Sequence, residues 1–303
     1  MFTTILLQNI ILLVYILLGL VMARKEWLGK EVQANFSVLI TNFALPCAVF
    51  NSFQIEYSEE ILGLIFRSLA LAVVFFTALY LLSLLFARVF RIAEKIRSIW
   101  IGCSTFSSVL FIGIPIVSAL FGEIGLVILI AFNTIGNLFL FGLGESIFAG
   151  RMLVSPRKIL STPAIIAAVL GFLFFVFQIT VPEVVSTPLQ AIAGFTTPLA
   201  MMINGALLSK TLSPRLFTNL STLQFCFVRL IVIPIILIFF FKVFVTDPLL
   251  LQIVALVSCM PSGAVNSVFA EKYSGQGQIA SEFIIVSTLL SIVTIPTIFY
   301  LVL

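Results

Sequence analysis

The sequence contains no histidine, a single aspartate and few charged residues of any kind. The absence of histidine excludes Ser–His hydrolysis, His-based zinc proteolysis and haem ligation by His. The single aspartate, Asp247, excludes an intramembrane protease built on paired aspartates. Charged residues make up 9% of the chain, whereas soluble domains carry about 25%. These absences argue against an enzyme and against a soluble fold.

Cysteine is also scarce, and its four copies form no recognisable pattern. They lie far apart, each within an apolar segment, which is typical of small packing residues. They are Cys47, Cys103, Cys226 and Cys259. We therefore predict neither a metal site nor a bound cofactor.

The sequence is rich in long apolar runs, since 61% of its 303 residues are hydrophobic. A membrane-spanning helix needs about 20 predominantly apolar residues. Ten segments have this character, and we number them spans 1 to 10: residues 4–23, 33–53, 61–87, 98–120, 124–148, 159–180, 184–208, 217–244, 249–271 and 278–302. The sequence thus predicts an all-α polytopic membrane protein with ten transmembrane helices.

Basic residues concentrate in alternate loops of this topology. The loops after spans 1, 3, 5, 7 and 9 hold thirteen of the sixteen Lys and Arg residues, and the opposite loops are mainly acidic. Cytoplasmic loops are enriched in Lys and Arg, so we expect these loops in the cytoplasm and both termini outside it. The predicted location is the cell (plasma or inner) membrane. The net charge of +4 follows from the loops, and no nucleic-acid partner is predicted.

The two halves of the chain share a pattern of prolines. Pro46 in span 2 and Pro198 in span 7 lie five spans apart, and so do Pro115 in span 4 and Pro261 in span 9. Five is odd, so the halves enter the membrane from opposite sides. This predicts an inverted repeat, with five helices in residues 1–150 and five in 151–303, a common transporter plan. We expect Pro46 and Pro198 to kink scaffold helices.

Spans 4 and 9 are interrupted by proline, glycine and polar residues. We predict that these helices break at Pro115 and Pro261 and cross there. The half-helices would then present free N–H groups and positive dipole ends to an anion. The alternative is that both prolines merely kink packed helices. The predicted substrate-binding residues are Ser107, Ser108, Gly113, Pro115, Pro261, Ser262, Gly263 and Asn266.

A few further polar residues lie within the spans. Charges at membrane depth are costly and usually functional. Arg229 is deep in span 8, where the alternative is snorkelling to the cytoplasmic face, and Glu282 is early in span 10. Asn133, Asn137 and Glu145 share one face of span 5 because they are four and eight residues apart. We interpret these five residues as coupling or supporting groups.

Five stretches, taken in order, resemble one family of membrane transporters. They are NFALP at residues 42–46, FIGIPIVSALFG at 111–122, RLIVIP at 229–234, MPSGAVN at 260–266 and STLLSIVTIP at 287–296. The chain resembles the auxin efflux carrier family over essentially its whole length. The resemblance implies a scaffold of spans 1, 2, 6 and 7 and a mobile transport domain of spans 3–5 and 8–10. It also implies elevator-like movement, small organic anions as substrates and a homodimer formed through the scaffold.

The chain departs from the family pattern at one position. Seven residues before the span 4 proline, members usually carry asparagine, and here that residue is Ser108. A hydroxyl cannot offer the two N–H donors of an amide, so auxin itself is not implied. The loop between spans 5 and 6 is short, unlike that of many plant members. The chain is therefore nearer to the bacterial malonate-type permeases of the family.

The predicted function is secondary transport of a small organic anion by alternating access, as an exporter or permease. One alternative is a sodium-coupled organic-anion symporter of the bile-acid-transporter type, whose crossed helices look similar. A channel or a sensor on the same fold is another. The predicted partners are a carboxylate substrate, the lipid bilayer and a second copy of the chain.

Overall fold

The computed structural model describes residues 2–153, 157, 160–211 and 219–302, and these residues are predominantly helical. The predicted starts of span 6, at residue 159, and of span 8, at residue 217, lie outside the described residues. The helices are Phe2–Arg24, Lys30–Leu39, Leu45–Ser52, Glu59–Val89, Glu94–Thr105, Val109–Phe139, Glu145–Ala149, Pro163–Val176, Glu183–Gly194, Thr196–Thr211, Leu220–Phe227, Ile233–Phe244, Pro248–Ser258, Val265–Ser274 and Gly277–Val302. The predicted all-α class is confirmed.

Seven helical stretches within the described residues are long and apolar enough to cross a membrane. They are Phe2–Arg24, Glu31–Ser52, Glu59–Val89, Val109–Ala149, Glu183–Ser209, Leu220–Phe244 and Gly277–Leu301. Two shorter apolar helices, Pro163–Val176 and Pro248–Ser258, lie in predicted spans 6 and 9. The chain is therefore a multi-pass membrane protein, while the count of ten crossings stays a prediction.

The longest of these stretches turns back on itself at Gly122. Val109–Ala149 has 41 residues, which as a straight helix would be about 60 Å long, twice the hydrocarbon core of about 30 Å. Gly122 has φ 63° and ψ −151°, a conformation that is essentially restricted to glycine. The helix is therefore divided where the sequence separates span 4 from span 5.

Single π-helical turns precede two of the prolines. Ile40–Ala44 is a π turn followed by Pro46, and Val228–Val232 is a π turn followed by Pro234. Proline has no N–H to donate and its ring collides with the preceding turn, and a wider turn accommodates both effects. Pro198 lies instead in the first turn of Thr196–Thr211, where a missing N–H is tolerated.

Two helix interruptions organise the rest of the molecule. The first break, residues 106–108, separates Glu94–Thr105 from Val109–Phe139, and the second break, residues 259–264, separates Pro248–Ser258 from Val265–Ser274. The second break contains Pro261, as predicted. The prediction that span 4 breaks at Pro115 is wrong, because Pro115 lies inside the helix that begins at Val109. The interruption lies about two turns earlier, where hydrogen bonds to the backbone of the second break, described below, stabilise it.

Spans 1 and 7 pack with their backbones in close contact. A methyl group on Gly19 would overlap the Met202 carbonyl, and one on Gly205 would overlap the Ile16 carbonyl. Close approach of this kind needs small residues at the interface. On the other side of the molecule, Phe75 packs against Phe132 with ring centroids 5.1 Å apart, which joins spans 3 and 5.

Candidate functional site

The two breaks are hydrogen-bonded to each other. Ser107 and Ser262 form an isolated antiparallel bridge. The Ser108 N–H donates to the Pro261 carbonyl at 2.9 Å, and the Gly263 N–H donates to the Phe106 carbonyl at 2.9 Å. Groups that lost their helical partners thus satisfy one another, as burial in a membrane requires. The predicted contact between the interruptions of spans 4 and 9 is present, but at residues 106–108 rather than at Pro115.

Glycine is needed at position 263 because the two backbones pass so close together. A Cβ atom on Gly263 would lie 3.2 Å from the Ser107 carbonyl oxygen and 3.3 Å from that of Phe106. Both neighbours are backbone atoms that hold the bridge, so they cannot move without weakening it. Gly263 is thus a structural requirement of the paired breaks.

The Asn266 side chain, from the second half of span 9, forms hydrogen bonds to both breaks. Its Nδ2 donates to the Phe106 carbonyl at 2.7 Å and to the Ser262 hydroxyl at 2.9 Å. Behind the break, the Ser262 N–H donates to the Ser287 hydroxyl at 3.3 Å. Asn266 is almost fully buried. Its amide nitrogen therefore joins the breaks, and the residue is less available to a ligand than the sequence alone suggests.

Arg229 supports the second break from span 8. Its side chain is completely buried, and its Nη1 donates to the Ser258 carbonyl at 2.9 Å. Ser258 ends the helix Pro248–Ser258, and a cation is favoured at the negative C-terminal end of a helix dipole. Arg229 Nε and Nη2 have no hydrogen-bond partner among the described residues. Burial at this depth argues against snorkelling.

An open cavity of about 610 Å³ lies beside the paired breaks. Its walls come from both breaks, from span 2, from span 5 and from the start of span 6. This size suits a small organic molecule. Its polar lining residues are Thr41, Asn42, Ser107, Ser108, Asn133, Asn137, Glu145, Ser161, Thr162, Asn266 and Lys272.

The helix that begins at Val109 presents its N-terminal end to this cavity. Val109, Leu110 and Phe111 all line it, and the first N–H groups of a helix have no intrahelical acceptor. Of these N–H groups, only that of Val109 has an acceptor in the described part of the chain, the Ser107 carbonyl at 3.0 Å. The backbone of Leu110 and Phe111 therefore offers N–H donors and a positive dipole end, the usual elements of an anion site.

Two further side-chain oxygens lie buried behind the surface of the cavity wall. Ser107 Oγ and Asn266 Oδ1 are both buried without a hydrogen-bond partner among the described residues. Such groups are uncommon in native structures and call for a partner. A ligand in this cavity would satisfy them after a small shift of the wall that uncovers the two oxygens.

The opposite wall carries the remaining polar residues of span 5. Asn133, Asn137 and Glu145 face the cavity together, as their spacing on one helix face predicts. Lys272 lies at the same cavity and is exposed. The cavity thus contains amides, hydroxyls, one carboxylate and one ammonium group among the described residues.

Several predicted site residues lie elsewhere. Pro261 and Ser262 are buried behind the cavity within the second break, and neither lines it. Gly113 packs against Leu129, and a Cβ there would lie 3.1 Å from the leucine side chain. Pro115 and Glu282 also stay outside the cavity wall. The residues that meet the cavity are Ser107, Ser108, Gly263, Asn266, Asn133, Asn137 and Glu145.

Sequence reasoning missed Leu110, Phe111, Thr41, Asn42 and Lys272. Leu110 and Phe111 contribute through their backbone, so their side chains give no signal. Thr41 and Asn42 are adjacent polar residues in the middle of span 2, which is a signal that could have been used. Lys272 follows Asn266 by six residues and belongs by sequence to a loop.

Comparison with protein families gives two successive matches to one family model, described as "Membrane transport protein". They cover residues 4–153 and 151–299. No curated protein matches the chain. The matches divide the chain between the two breaks, so that each half contributes one break to the site.

Proposed function

The chain belongs to the Membrane transport protein family, the auxin efflux carrier family that its motifs predicted, and we propose that it is a secondary transporter of small organic anions. Membership makes it a membrane transporter rather than an enzyme. The substrate class, the topology and the mechanism are the parts that we propose.

We propose ten membrane crossings arranged as two inverted five-helix repeats. Support comes from the position of the family matches, one in each half, and from the division at Gly122. Spans 4 and 9 each consist of two half-helices, so neither forms one continuous helix of membrane-spanning length. Spans 1, 2, 6 and 7 form the scaffold in this arrangement, and spans 3–5 and 8–10 form the transport domain.

The observation that supports an anionic substrate is the position of the helix N-terminus at Val109. It lies at the cavity, next to the unpartnered Ser107 hydroxyl. Free N–H groups and the dipole attract a carboxylate without a formal positive charge. Such a site binds an anion and also releases it, because no buried ion pair has to be broken. Lys272, at the exposed side of the cavity, favours the approach of anions.

The cavity opens on the side that the loop charges assign to the cytoplasm. Ser161 and Thr162 precede the helix Pro163–Val176 of span 6, and Lys272 lies between spans 9 and 10. The conformation therefore corresponds to an inward-open state, and alternating access requires movement of the paired breaks to the other face. Because the breaks are hydrogen-bonded to each other, they would move as one body.

The test is uptake of labelled mono- and dicarboxylates into liposomes that contain the purified protein. The variant Ser107→Ala removes the unpartnered hydroxyl at the cavity, and we expect the half-saturating concentration to rise about threefold to tenfold, which is the effect of one hydrogen bond. The matched control is Ser104→Ala, which removes a buried and unpartnered hydroxyl that does not line the cavity. If the two variants change the half-saturating concentration equally, Ser107 is not part of the binding site. If none of the carboxylates is taken up, the proposed substrate class is wrong.

The same liposomes separate the alternative functions. A sodium-coupled symporter would lose uptake when sodium is replaced by potassium on both sides. A channel would give currents far above carrier turnover. Glu145 is the only carboxylate among the described cavity residues, so we expect uptake to continue without sodium.

We propose that the scaffold also forms a homodimer. Helix Glu183–Gly194 of span 7 has no buried residue in the single chain, and its exposed face includes Val184 and Val185. Apolar residues at this face could contact lipid or a second copy. Cross-linking of a cysteine introduced at Val184 would detect the dimer in membranes, and a cysteine at the exposed Val74 of span 3 serves as control.

A further inference from the structure

A second cavity, of about 640 Å³, lies at the opposite end of the scaffold. It is formed by the end of span 2 and the residues that follow it, by the end of span 6 and by the start of span 7. It shares no lining residue with the cavity beside the breaks. By the loop charges, it is on the non-cytoplasmic side. It therefore calls for an explanation other than transport of the anion.

The charge at this cavity is unsuited to an anion. Glu56 is among its lining residues and is exposed. None of the described lining residues is basic. A negatively charged ligand would meet a carboxylate and no compensating cation. The cavity therefore selects a neutral or positively charged ligand.

Aromatic rings form the inner wall. Tyr57 and Phe175 lie with ring centroids 5.3 Å apart and their planes tilted by 47°, and Phe174 also lines the cavity. The faces of aromatic rings attract organic cations, and the attraction is strongest for desolvated ammonium groups. A carboxylate beside several aromatic rings is a combination suited to an ammonium group.

The amide groups indicate a second feature of the ligand. Gln54 lines the cavity, and its Nε2 is buried without a hydrogen-bond partner among the described residues. A buried donor of this kind calls for an acceptor. Gln178, also at the cavity, has φ 53°, in the left-handed region where glycine is usual at a helix end. Gln178 thus occupies a position where the backbone favours glycine.

We propose that this cavity binds an amino alcohol group, as in choline or ethanolamine. The ammonium end would lie between the Glu56 carboxylate and the aromatic rings, and the oxygen would accept from Gln54 Nε2. The group could belong to a free molecule or to a phospholipid headgroup. The site lies within the scaffold and is separate from the anion site.

The test is thermal unfolding of the full chain in maltoside detergent, titrated with choline chloride. We expect saturable stabilisation, with a rise in melting temperature of about 2 °C or more. Tetramethylammonium, which lacks the oxygen, should bind more weakly, and sorbitol, which lacks the cation, should have no effect. Potassium chloride at equal concentration controls for ionic strength. If choline has no more effect than potassium chloride, the proposal is wrong.

Paired variants locate the site. Glu56→Gln and Phe174→Leu should each raise the half-saturating choline concentration about fivefold. Their controls are Glu123→Gln, which removes another exposed acid predicted on the same face, and Phe177→Leu, which alters an exposed ring next in sequence to the wall. Neither control residue lines the cavity. If the variants and their controls behave alike, the cavity is not the binding site.

The two sources are distinguished in lipid. The protein is reconstituted into vesicles of phosphatidylglycerol alone or of phosphatidylglycerol with phosphatidylethanolamine. If the headgroup is the ligand, choline stabilises only the first preparation, because ethanolamine headgroups already occupy the site in the second. If the ligand is a free amino alcohol, choline stabilises both. Transport assays are not needed for either outcome, so the result is independent of the anion carrier proposal.

Discussion

The first break and the second break have paired backbones, but their surroundings differ. The first has three residues and places Ser107 and Ser108 in the cavity wall. The second has six residues and is buried from Cys259 to Gly263. It is supported from behind by Arg229 and by the Ser287 hydroxyl. The first break therefore supplies most of the ligand surface, and the second supplies the support that holds this surface in position.

This difference shows how the cost of burying polar backbone groups in the membrane is reduced. Interrupted helices leave backbone groups without partners, and each such group costs several kcal/mol in hydrocarbon. Pairing the two breaks satisfies four of these groups with two short hydrogen bonds. Free N–H groups remain at the start of the helix at Val109, where the cavity admits water or substrate. Changes in the second break should therefore affect stability, and changes in the first should affect binding.

The largest effect is expected for Arg229→Met. It removes the charged hydrogen bond to the Ser258 carbonyl, and we expect a loss of about 2–3 kcal/mol of unfolding free energy together with loss of transport. Arg229→Lys keeps a charge that can reach the same carbonyl and should retain much of both. The measurement is thermal unfolding in detergent followed by uptake into liposomes.

The control for Arg229 is Arg67→Met, which removes one positive charge from an exposed position in span 3. We expect little change in stability there. If Arg229→Met is as stable as the unaltered chain, Arg229 does not support the second break. The deep charge would then have to act in transport directly.

The next largest effect is expected for Asn266→Leu, which keeps the branching of the side chain and removes both hydrogen bonds that the amide nitrogen donates. Two hydrogen bonds of ordinary strength correspond to about 1–2 kcal/mol. Asn266→Asp, which keeps the shape and removes the donors, should be at least as harmful. Asn137→Leu is the comparison, because Asn137 lines the cavity without joining the breaks. The Asn137→Leu variant should reduce uptake more than it reduces stability. If it reduces stability more than uptake, Asn137 does not act at the binding site as proposed.

A smaller effect is expected for Gly263→Ala. The added methyl group would press on the Ser107 and Phe106 carbonyls at 3.2 and 3.3 Å, so the breaks must separate by a few tenths of an ångström. We expect a loss of about 1 kcal/mol and a several-fold fall in uptake. Gly63→Ala is the matched control, because no described atom beyond the backbone of its own helix would lie within 4 Å of the added methyl group. Equal melting temperatures for the two variants would show that the breaks tolerate separation.

Composition and periodicity were sufficient to predict the helical class and most helix ends, and the resemblance of five motif stretches indicated the family. Apolar runs of membrane length, interrupted by loops with alternating charge, leave few other folds. The turn at Gly122 also follows from the sequence, since both flanking segments are long enough to span. Asn133, Asn137 and Glu145 were correctly grouped, because four-residue spacing fixes one helix face.

The exact position of the first break could not be predicted, and the reason is physical. Proline weakens a helix wherever it occurs, but the interruption forms where another segment supplies hydrogen bonds to the freed backbone. For span 4, that partner is Pro261 and Gly263, about 150 residues away in sequence. Local propensity therefore indicated Pro115, and the long-range pairing selected residues 106–108. The backbone donors of Leu110 and Phe111 could not be predicted for the same reason, because they are free only where the break forms.

The smallest effect is expected for Pro115→Ala, and it distinguishes the two prolines most directly. Pro115 lies within a continuous helix, so alanine restores a backbone donor and removes a clash with the preceding turn. Stability should be unchanged or higher by under about 1 kcal/mol, and uptake should persist. Pro261→Ala differs because the Pro261 carbonyl accepts the Ser108 N–H and the ring fixes that backbone. Alanine adds a buried N–H at that point and loosens the bridge, so uptake should fall. Equal losses for both variants would mean that Pro115 acts in the transport cycle through a conformation in which span 4 breaks at the proline.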